Sequence, residues 1–355
     1  MKGIEQPSRI NEEAIRKLRS GKHKPMSVED FVLGIREGNR TILSKAITLI
    51  ESSLHTHKEK AQEIIAQCLN SIRHPAGSIR IGITGVPGVG KSTFIEAIGK
   101  YLTANGHKLA VLAIDPSSSR SKGSILGDKT RMEELANDPN AYIRPSPAAG
   151  SLGGVARKTM ESIILCEAAG FDVIFVETVG VGQSETAVHS MVDFFLLLML
   201  SGAGDELQGI KRGIIEMADA IFINKADGDN IGKAEMARRE YSNAIHLFPA
   251  STNGWTPEVG TCSSQTREGI IRVWEVIQAF TKITRENGAF ARRRMEQDRQ
   301  VLFDTIEEAL KSQFFARKDI VHQLKILETE VVEGRISPYL AANMLLGKFN
   351  SGNVK

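Results

Sequence analysis

The chain has few cysteines, and their placement excludes several kinds of protein. Only three occur among 355 residues, at positions 68, 166 and 262, so one must remain unpaired and no C-x-x-C motif forms. Disulfide-stapled secreted domains and structural zinc sites both require more cysteines at closer spacing. We therefore expect a reducing compartment, the cytoplasm, and no structural zinc.

Excess charge of one sign and long hydrophobic runs are also missing. Lys and Arg number 45 against 42 Asp and Glu, a net charge of +3, which does not indicate nucleic acid or an acidic surface as partner. The longest strongly apolar run, residues 194–200, is too short to span a bilayer, so no membrane partner is expected. Residues 1–30 mix acidic and basic side chains without an apolar core, so we expect neither a secretory signal nor a transit peptide.

What the chain does contain is a phosphate-binding loop, GVPGVGKST, at residues 85–93. It follows an apolar stretch and precedes a helix-forming run, and its three glycines allow successive N–H groups to surround a phosphate. Lys91 is predicted to reach the β- and γ-phosphates of a nucleoside triphosphate, and Ser92 to ligate Mg²⁺. The residues expected at the phosphates are Gly85, Gly88, Val89, Gly90, Lys91, Ser92 and Thr93.

A second motif, N-K-x-D at residues 224–227, concerns the base. It follows a buried-strand pattern, which places it at the carboxyl end of a strand, where open α/β sheets bind ligands. The Asp227 carboxylate can accept from N1–H and N2–H₂ of guanine, whereas adenine would leave it unpaired. The apolar stem of Lys225 can lie over the base, and Asn224 can tie this loop to the phosphate loop.

A third short segment supports guanine over adenine. Cys262 is followed by Ser263 and Ser264, which resemble the small backbone-donating loop that contacts guanine O6. The three motifs together predict GTP and GDP as ligands.

Two segments between these motifs are expected to sense the γ-phosphate. In one, Glu177 stands three residues before Gly180, the pattern of the third GTPase motif, in which the acid orients a water on Mg²⁺ and the glycine N–H meets the phosphate. Most GTPases have Asp there, so the longer Glu177 is expected to recruit a bridging water or a second acid such as Asp115. The other segment is residues 115–131. Asp115 can cap a turn instead of serving as the second acid, and Asp128 can be a solvated loop acid.

Alternating strand and helix patterns predict an α/β fold, a doubly wound, mostly parallel sheet over residues 78–285. Helical periodicity predicts an N-terminal helical region, residues 1–77, with a capping start at residues 27–30, and a C-terminal helical extension, residues 286–355. The strands are expected near residues 78–84, 109–114, 141–144, 172–177, 193–200 and 218–224, with a short one before residue 262.

Five stretches resemble the MeaB/ArgK family of metallochaperone-related GTPases. They are VPGVGKST at 86–93, DPSS at 115–118, GSILGDKTRM at 123–132, ETVGVGQSE at 177–185 and GDELQGIKRG at 204–213. The resemblance implies a GTP-hydrolysing chaperone that gates delivery of adenosylcobalamin to methylmalonyl-CoA mutase or a related acyl-CoA mutase, and that protects or reactivates the mutase.

The resemblance also implies roles for individual residues. The acids of the magnesium sphere fall on Asp115, Asp128 and Glu177, and a third switch that couples nucleotide state to the partner falls on residues 204–213. Within this switch, Gln208 and Lys211 are the residues of interest. The family is usually a homodimer joined through a C-terminal extension, which fits the helical tail predicted here.

No side chain is an obvious general base for hydrolysis, so catalysis is expected to rest on positioning and charge. Gln183 can orient water or serve structurally at the start of a helix. A further cation is needed, and Lys211, Lys129 or Arg131 can supply it when the partner binds. We therefore hypothesise slow intrinsic turnover that the mutase accelerates. His189 is expected to be structural.

Three other functions compete with this one. Metal-insertion GTPases of the same class have His-rich tracts or paired cysteines, which are missing here. An ATP-dependent kinase or transport ATPase is disfavoured by the base chemistry of Asp227. A nucleotide-gated scaffold with negligible hydrolysis remains open and is separated by a turnover assay.

In the flanking regions, charged runs such as Arg292 to Arg294 are expected to be solvated helix faces. Trp255 is expected to pack in the core. The apolar residues at helical spacing in the tail can either cover the GTPase core or pair with a second subunit. They are Val301, Leu302, Ile306, Leu310, Phe314, Ile320, Leu324, Ile326 and Leu327.

Overall fold

The structure is a computed structural model that describes residues 26–52, 54–71, 77–115, 132–147, 152–178, 184–202, 212–246, 248 and 252–351. Several predicted site residues lie outside these ranges: Asp128, Lys129, Arg131, Gly180, Gln183, Gln208 and Lys211. Of Asp115, only the backbone is described.

Seven parallel strands form one sheet in the described part of the chain, in the order β3-β2-β4-β1-β5-β6-β7. Their bounds are β1 Ile79–Gly85, β2 Leu109–Asp115, β3 Ala141–Pro147, β4 Val173–Thr178, β5 Phe194–Met199, β6 Ala220–Ile223 and β7 Glu258–Thr261. Every predicted strand is present with its ends shifted by a few residues, and the predicted α/β fold is confirmed. Strands β1, β4, β5 and β6 are buried throughout, which explains their continuous apolar sequences.

Helices flank the sheet on both faces. They are α1 Val28–Arg36, α2 Arg40–Glu51, α3 His55–Ser71, α4 Lys91–Ala104, α5 Glu133–Ala136, α6 Leu152–Ala168, α7 Ser184–His189, α8 Arg212–Met217, α9 Ile231–Ile245, α10 Ile270–Glu286, α11 Ala289–Ala316, α12 Lys318–Val332 and α13 Pro338–Ser351. Helices α4 and α10 pack on one face. Helices α1–α3 and α6–α9 pack on the other, so the sheet is doubly wound.

The N-terminal helices begin at the predicted capping residues. The Ser27 hydroxyl accepts from the Asp30 N–H at 3.1 Å, and the Asp30 carboxylate accepts from the Ser27 N–H at 2.8 Å, a capping box. The apolar side chains of α1–α3, including Ile35, Leu43 and Ile47, share one hydrophobic cluster with α6 and the sheet. These helices therefore pack directly on the nucleotide-binding core.

The C-terminal extension contacts the core mainly through the start of α11. Further on, α12 and α13 pack on each other around Ile320, Leu327, Ala341 and Leu345. Of the tail residues at helical spacing, Leu302, Ile306, Leu310 and Ile326 are about half exposed, between 44% and 57%. About half of the surface of each of these four side chains is therefore covered within one chain, and pairing with a second subunit stays a prediction.

One expectation for the tail is wrong. Arg294 is buried, with 8% of its surface exposed, and it pairs with the carboxylate of Asp193 at 2.7 Å. Arg292 is exposed, as expected. The three arginines of this run therefore have different environments, because α11 turns one side toward the sheet.

One further expectation, the packing role of Trp255, agrees with the structure. Trp255 is buried against Phe280, with ring centroids 5.6 Å apart, and its indole N–H donates to the Asp219 carbonyl at 2.8 Å. None of the helices in the described ranges combines the length and the hydropathy that a bilayer crossing requires.

Candidate functional site: a guanine-nucleotide site

The phosphate loop connects β1 to α4. Gly85 has φ of 153°, and a Cβ at this position would lie 2.3 Å from the Leu198 carbonyl oxygen on the neighbouring strand. Gly90, the residue before α4, has φ of 94°, in the left-handed region that favours glycine. Because α4 begins at Lys91, the free N–H groups of its first turn and the positive end of its dipole lie at this loop.

Lys91 is held inside the loop. Its ammonium donates to the carbonyl of Gly85 at 2.9 Å and to that of Val86 at 3.4 Å. Burial lowers the pKa of Lys91, while the nearby carboxylates of Glu177 and Glu185 act in the opposite direction. Glu185, buried at the start of α7, is a contributor that sequence reasoning missed, although it is the last residue of the ETVGVGQSE stretch.

Ser92 and Glu177 converge beside the loop. The Ser92 hydroxyl donates to the Glu177 carboxylate at 3.3 Å. Beneath them, the Thr178 hydroxyl donates to the Thr84 hydroxyl at 2.9 Å, which joins the ends of β4 and β1. This threonine pair was not anticipated, because nothing in either strand's sequence distinguishes it from ordinary core-facing threonine.

The oxygen ligands fit a magnesium ion. A serine hydroxyl and a carboxylate are hard oxygen donors of the kind that Mg²⁺ binds, usually together with water and phosphate oxygens. Strand β2 ends beside β4, with Ile114 opposite Thr178, so the backbone of Asp115 lies at the same edge. Within the described ranges, no three His, Cys, Asp or Glu side chains form a metal-binding group by themselves. The described side chains that offer oxygen ligands at this edge are the Ser92 hydroxyl and the Glu177 carboxylate.

Asn224 joins the phosphate loop to the base loop. Its side-chain N–H₂ donates to the Val89 carbonyl at 2.8 Å, and its side-chain oxygen accepts from both the N–H and the hydroxyl of Ser264, at 3.1 and 2.9 Å. All of these groups are buried. The predicted tie between the two loops is present, and it extends to the third motif.

Asp227 is oriented by the third motif as well. The Ser263 hydroxyl donates to one oxygen of the Asp227 carboxylate and accepts from the Thr266 N–H at 3.1 Å. The Ala226 N–H donates to the Cys262 carbonyl at 3.0 Å, which holds the two loops together. The side chain that would read the base is therefore fixed by its neighbours.

The N–H groups expected to meet guanine O6 are already bonded. The Ser263 N–H donates to the Glu268 carbonyl at 2.9 Å, and the Ser264 N–H donates to Asn224. A contact of either N–H with O6 would require its present bond to be shared or released. The role of these two residues at the base stays a prediction.

Lys225 and Asn230 shape the base loop from below. Lys225 is exposed and has φ of 59°, an uncommon value for a non-glycine residue. The Asn230 amide donates to the Lys225 carbonyl at 2.6 Å and accepts from the Ser201 hydroxyl at 2.6 Å. Sequence reasoning missed Asn230, because an asparagine in a polar turn is common without a ligand.

His189 lies at the opposite, amino-terminal edge of the sheet. Its ring packs edge-on against Phe195 at 5.5 Å, and burial, with the charge of Arg293, lowers its pKa to about 4. The imidazole is therefore neutral near pH 7 and is far from the phosphate loop in the fold. These observations agree with the structural role expected for it.

The geometry at the carboxyl edge of the sheet joins a phosphate loop, an acid at the end of β4 and a base loop, the arrangement of a P-loop GTPase. The family model described as "Methylmalonyl Co-A mutase-associated GTPase MeaB" matches residues 43–319. The chain belongs to this family. It is thus a GTPase of the MeaB family, whose description names an association with methylmalonyl-CoA mutase.

Individual relatives agree with the family assignment. A putative GTPase of Caulobacter vibrioides is 49% identical over 312 residues, 88% of this chain and 94% of the relative. The mouse protein "Methylmalonic aciduria type A homolog, mitochondrial" is 45% identical over 332 residues, 91% of this chain and 80% of the relative. A crystal structure described as LAO/AO transport system kinase is 35% identical with a TM-score of 0.71, and covers 92% of this chain and 99% of that one.

Proposed function

We propose that this MeaB-family GTPase gates the delivery of adenosylcobalamin to methylmalonyl-CoA mutase, or to a related acyl-CoA mutase, and protects or reactivates that mutase. The family description and the mouse relative's name support a mutase as the client. The structural observation that carries the nucleotide part is the set of Asn224 hydrogen bonds, which couples the phosphate loop to both base-reading segments.

GTP would be bound by exchange of contacts that the structure already contains. The Lys91 ammonium would leave the carbonyls of Gly85 and Val86 for the β- and γ-phosphate oxygens, where its charge is better compensated. One oxygen of Asp227 stays bonded to Ser263, and the carboxylate accepts from guanine N1–H and N2–H₂. The stem of Lys225 covers the base.

We propose Ser92 and Glu177 as the residues that hold Mg²⁺, with Asp115 and Asp128 as further acids. The 3.3 Å contact between the Ser92 hydroxyl and Glu177 supports the first two, and family resemblance supports the others. When bound, the ion would neutralise charge on the β- and γ-phosphate oxygens.

Hydrolysis requires a positioned water and positive charge beyond Lys91. We propose that the Gly180 N–H contacts the γ-phosphate, that Gln183 orients the water and that Lys211 adds charge when the mutase is bound. The support is the position of these residues in the 177–185 and 204–213 motifs. Intrinsic turnover is then slow, and the mutase accelerates it.

We further propose that the protein is a cytoplasmic homodimer joined by its C-terminal extension. Half-exposed Leu302, Ile306 and Leu310 on α11, with Tyr339 and Leu340 on α13, supply an apolar surface for a second copy. The three cysteines are buried and none of them forms a disulfide, which supports a reducing compartment.

The nucleotide part is tested by comparing Lys91→Ala with Lys233→Ala, an exposed lysine on α9. The unchanged protein and Lys233→Ala should hydrolyse GTP in preference to ATP. Lys91→Ala should lose at least about tenfold in GTP turnover per enzyme, because a phosphate-binding charge is removed. Circular dichroism should confirm that both variants are folded. Equal GTP turnover in Lys91→Ala and Lys233→Ala would show that the loop does not act on phosphate.

A further inference from the structure

Two consecutive arginines at the start of α11 contact two aspartates at the amino-terminal edge of the sheet. Arg294 donates from Nε and Nη2 to the two oxygens of Asp193, at 2.8 and 2.7 Å. Arg293 donates from Nη1 to Asp219 at 3.3 Å. Asp193 directly precedes β5 and Asp219 directly precedes β6, so α11 is tied to the start of two neighbouring strands.

Each aspartate also holds a neighbouring strand. Asp193 accepts from the Arg80 N–H on β1 at 2.8 Å, and Asp219 accepts from the Phe195 N–H on β5 at 2.8 Å. A shift of either carboxylate would therefore change hydrogen bonds to α11 and to the central strands at the same time. Such shared, buried hydrogen-bonded charges link elements that are distant in sequence.

The same two aspartates lie where the helices after the proposed switches end. Helix α7 follows the 177–183 segment, and the chain leaves it through Val192 and Asp193 into β5. Helix α8 follows the 204–211 segment, and the chain leaves it at Met217 to reach Asp219 and β6. The Gln297 amide of α11 adds a bond to the Val192 carbonyl at 2.7 Å. The start of α11 thus contacts the segments that follow α7 and α8, at Val192 and Asp219.

The two arginines differ in how well they are held. Besides Asp193, Arg294 lies 3.6 Å from Glu167 and donates to the Ser78 carbonyl at 3.2 Å. Arg293 has its single 3.3 Å bond to Asp219, and its buried Nη2 has no hydrogen-bond partner within the described ranges. Arg294 is therefore held by several partners, whereas the hydrogen bonding of Arg293 is incomplete.

A cavity of ≈ 480 Å³ lies beside the incomplete contact. Its lining includes Arg293 and Asp219, Glu216 and Met217 of α8, and His189 at the end of α7. This cavity is partly open to solvent, and its space between the helix ends leaves room for α8 to shift against α11. An element that transmits a signal must be able to adopt two discrete arrangements, and a shift of α8 would supply the second one.

We propose that the Arg293–Asp219 contact passes the nucleotide state from α8 to the C-terminal extension, while the Arg294–Asp193 pair serves as the fixed pivot. The proposal rests on the proposed GTPase function and concerns the regulation of that same site. Arg293 is a positioning residue in this scheme, since it touches neither nucleotide nor metal. When α8 moves, Arg293 would change its hydrogen bond to Asp219. This change would tilt α11 and, with it, the surface offered by α12 and α13.

Hydrogen–deuterium exchange of the full chain tests this coupling, with GDP compared with a non-hydrolysable GTP analogue. In the unchanged protein, amides of α11 should exchange at rates that differ about fivefold or more between the two nucleotides, the lower end of typical coupling between sites. Arg293→Gln should reduce that difference to less than about twofold. Arg292→Gln, a neighbour that is exposed, should keep the full difference.

Nucleotide affinity measured on the same samples separates this inference from the proposed function. If the unchanged protein does not bind GTP, the proposed function fails. If GTP binds and α11 shows no nucleotide-dependent exchange, or if Arg293→Gln keeps the full difference, the coupling is overturned. Should Arg293→Gln be unfolded, Asp219→Asn replaces it, because an asparagine oxygen can still accept from the Phe195 N–H while the charge that attracts Arg293 is gone.

Discussion

At the scale of single residues, Asn224 is the centre of the nucleotide site. Its amide bonds to Val89 in the phosphate loop and to Ser264 in the third motif, so three segments far apart in sequence share one buried side chain. Asn224 has no proposed role in the reaction itself. Its effect is to set the distance between the phosphate-binding and base-reading ends of the site.

The proposed guanine selectivity rests on one carboxylate, that of Asp227, and gives the first prediction at this scale. Asp227→Asn should lose about 100-fold or more in GTP affinity, because an amide N–H₂ would face the guanine N–H donors. The same variant should gain affinity for XTP, whose oxygen at C2 accepts from that amide. Competition binding with GTP and XTP measures both changes.

Asp229→Asn is the matched control, since Asp229 is exposed in the 3₁₀ turn directly after the motif. It removes the same charge within the same loop and should leave guanine selectivity unchanged. If Asp227→Asn retained undiminished preference for GTP over XTP, the base-loop assignment would be wrong.

Residue roles could be predicted where a motif carries its own chemistry, and not where the role depends on distant partners. Lys91, Ser92 and Asp227 stand in recognisable spacings. The pairing of Ser263 with Asp227 and the burial of Glu185 depend on how loops come together, so they appear only in the structure.

At the scale of elements, the strands were predictable because each buried parallel strand is a continuous apolar run. The helices after residue 286 were predictable as helices, but their environments were not. The Arg292 to Arg294 run has the sequence of a solvated face, and its acidic partners Asp193 and Asp219 lie roughly 75–100 residues earlier. Periodicity predicts which side of a helix is apolar. It does not predict that a charged side of the helix pairs with a buried carboxylate elsewhere in the fold.

The docking of α11 on the sheet gives a prediction at this scale. Arg294→Met should lower the free energy of unfolding by about 3–5 kcal/mol, because Asp193 would be left as a buried charge without its guanidinium. Denaturant titration followed by circular dichroism measures the change.

Arg292→Met provides the comparison, because it removes the same group from an exposed position of the same helix. Its effect should stay within about 0.5 kcal/mol. Comparable stability of the two variants would show that the Arg294–Asp193 pair does not anchor α11.

At the scale of the whole molecule, the proposed nucleotide site and the anchor of the C-terminal extension lie at opposite edges of one sheet. The nucleotide site lies at the carboxyl ends of the strands, as is usual for open α/β sheets. The C-terminal extension is anchored at the amino ends, through Arg293 and Arg294. Strands β5 and β6 and the helices before them connect the two edges, and they are the elements through which the proposed coupling would act.

This arrangement suits a switch whose output is an interaction. The motifs at residues 115–131 and 177–185 predicted a γ-phosphate-sensing region from sequence, and the family resemblance implied a partner-coupling switch at residues 204–213. The family model spans all three segments, and their roles stay predictions. The sequence did not decide the role of the apolar side chains on α11 and α13, since helical periodicity does not distinguish a core-facing stripe from a subunit interface.

The most direct test of the central claim is GTP turnover by the purified protein, alone and with an adenosylcobalamin-dependent acyl-CoA mutase from the same source. The mutase should raise the rate of GTP hydrolysis by at least about tenfold, a modest effect for a catalytic cation brought into place by a partner. ATP should not be hydrolysed in either case. A rate of GTP hydrolysis that is the same with and without the mutase would contradict the proposed partnership.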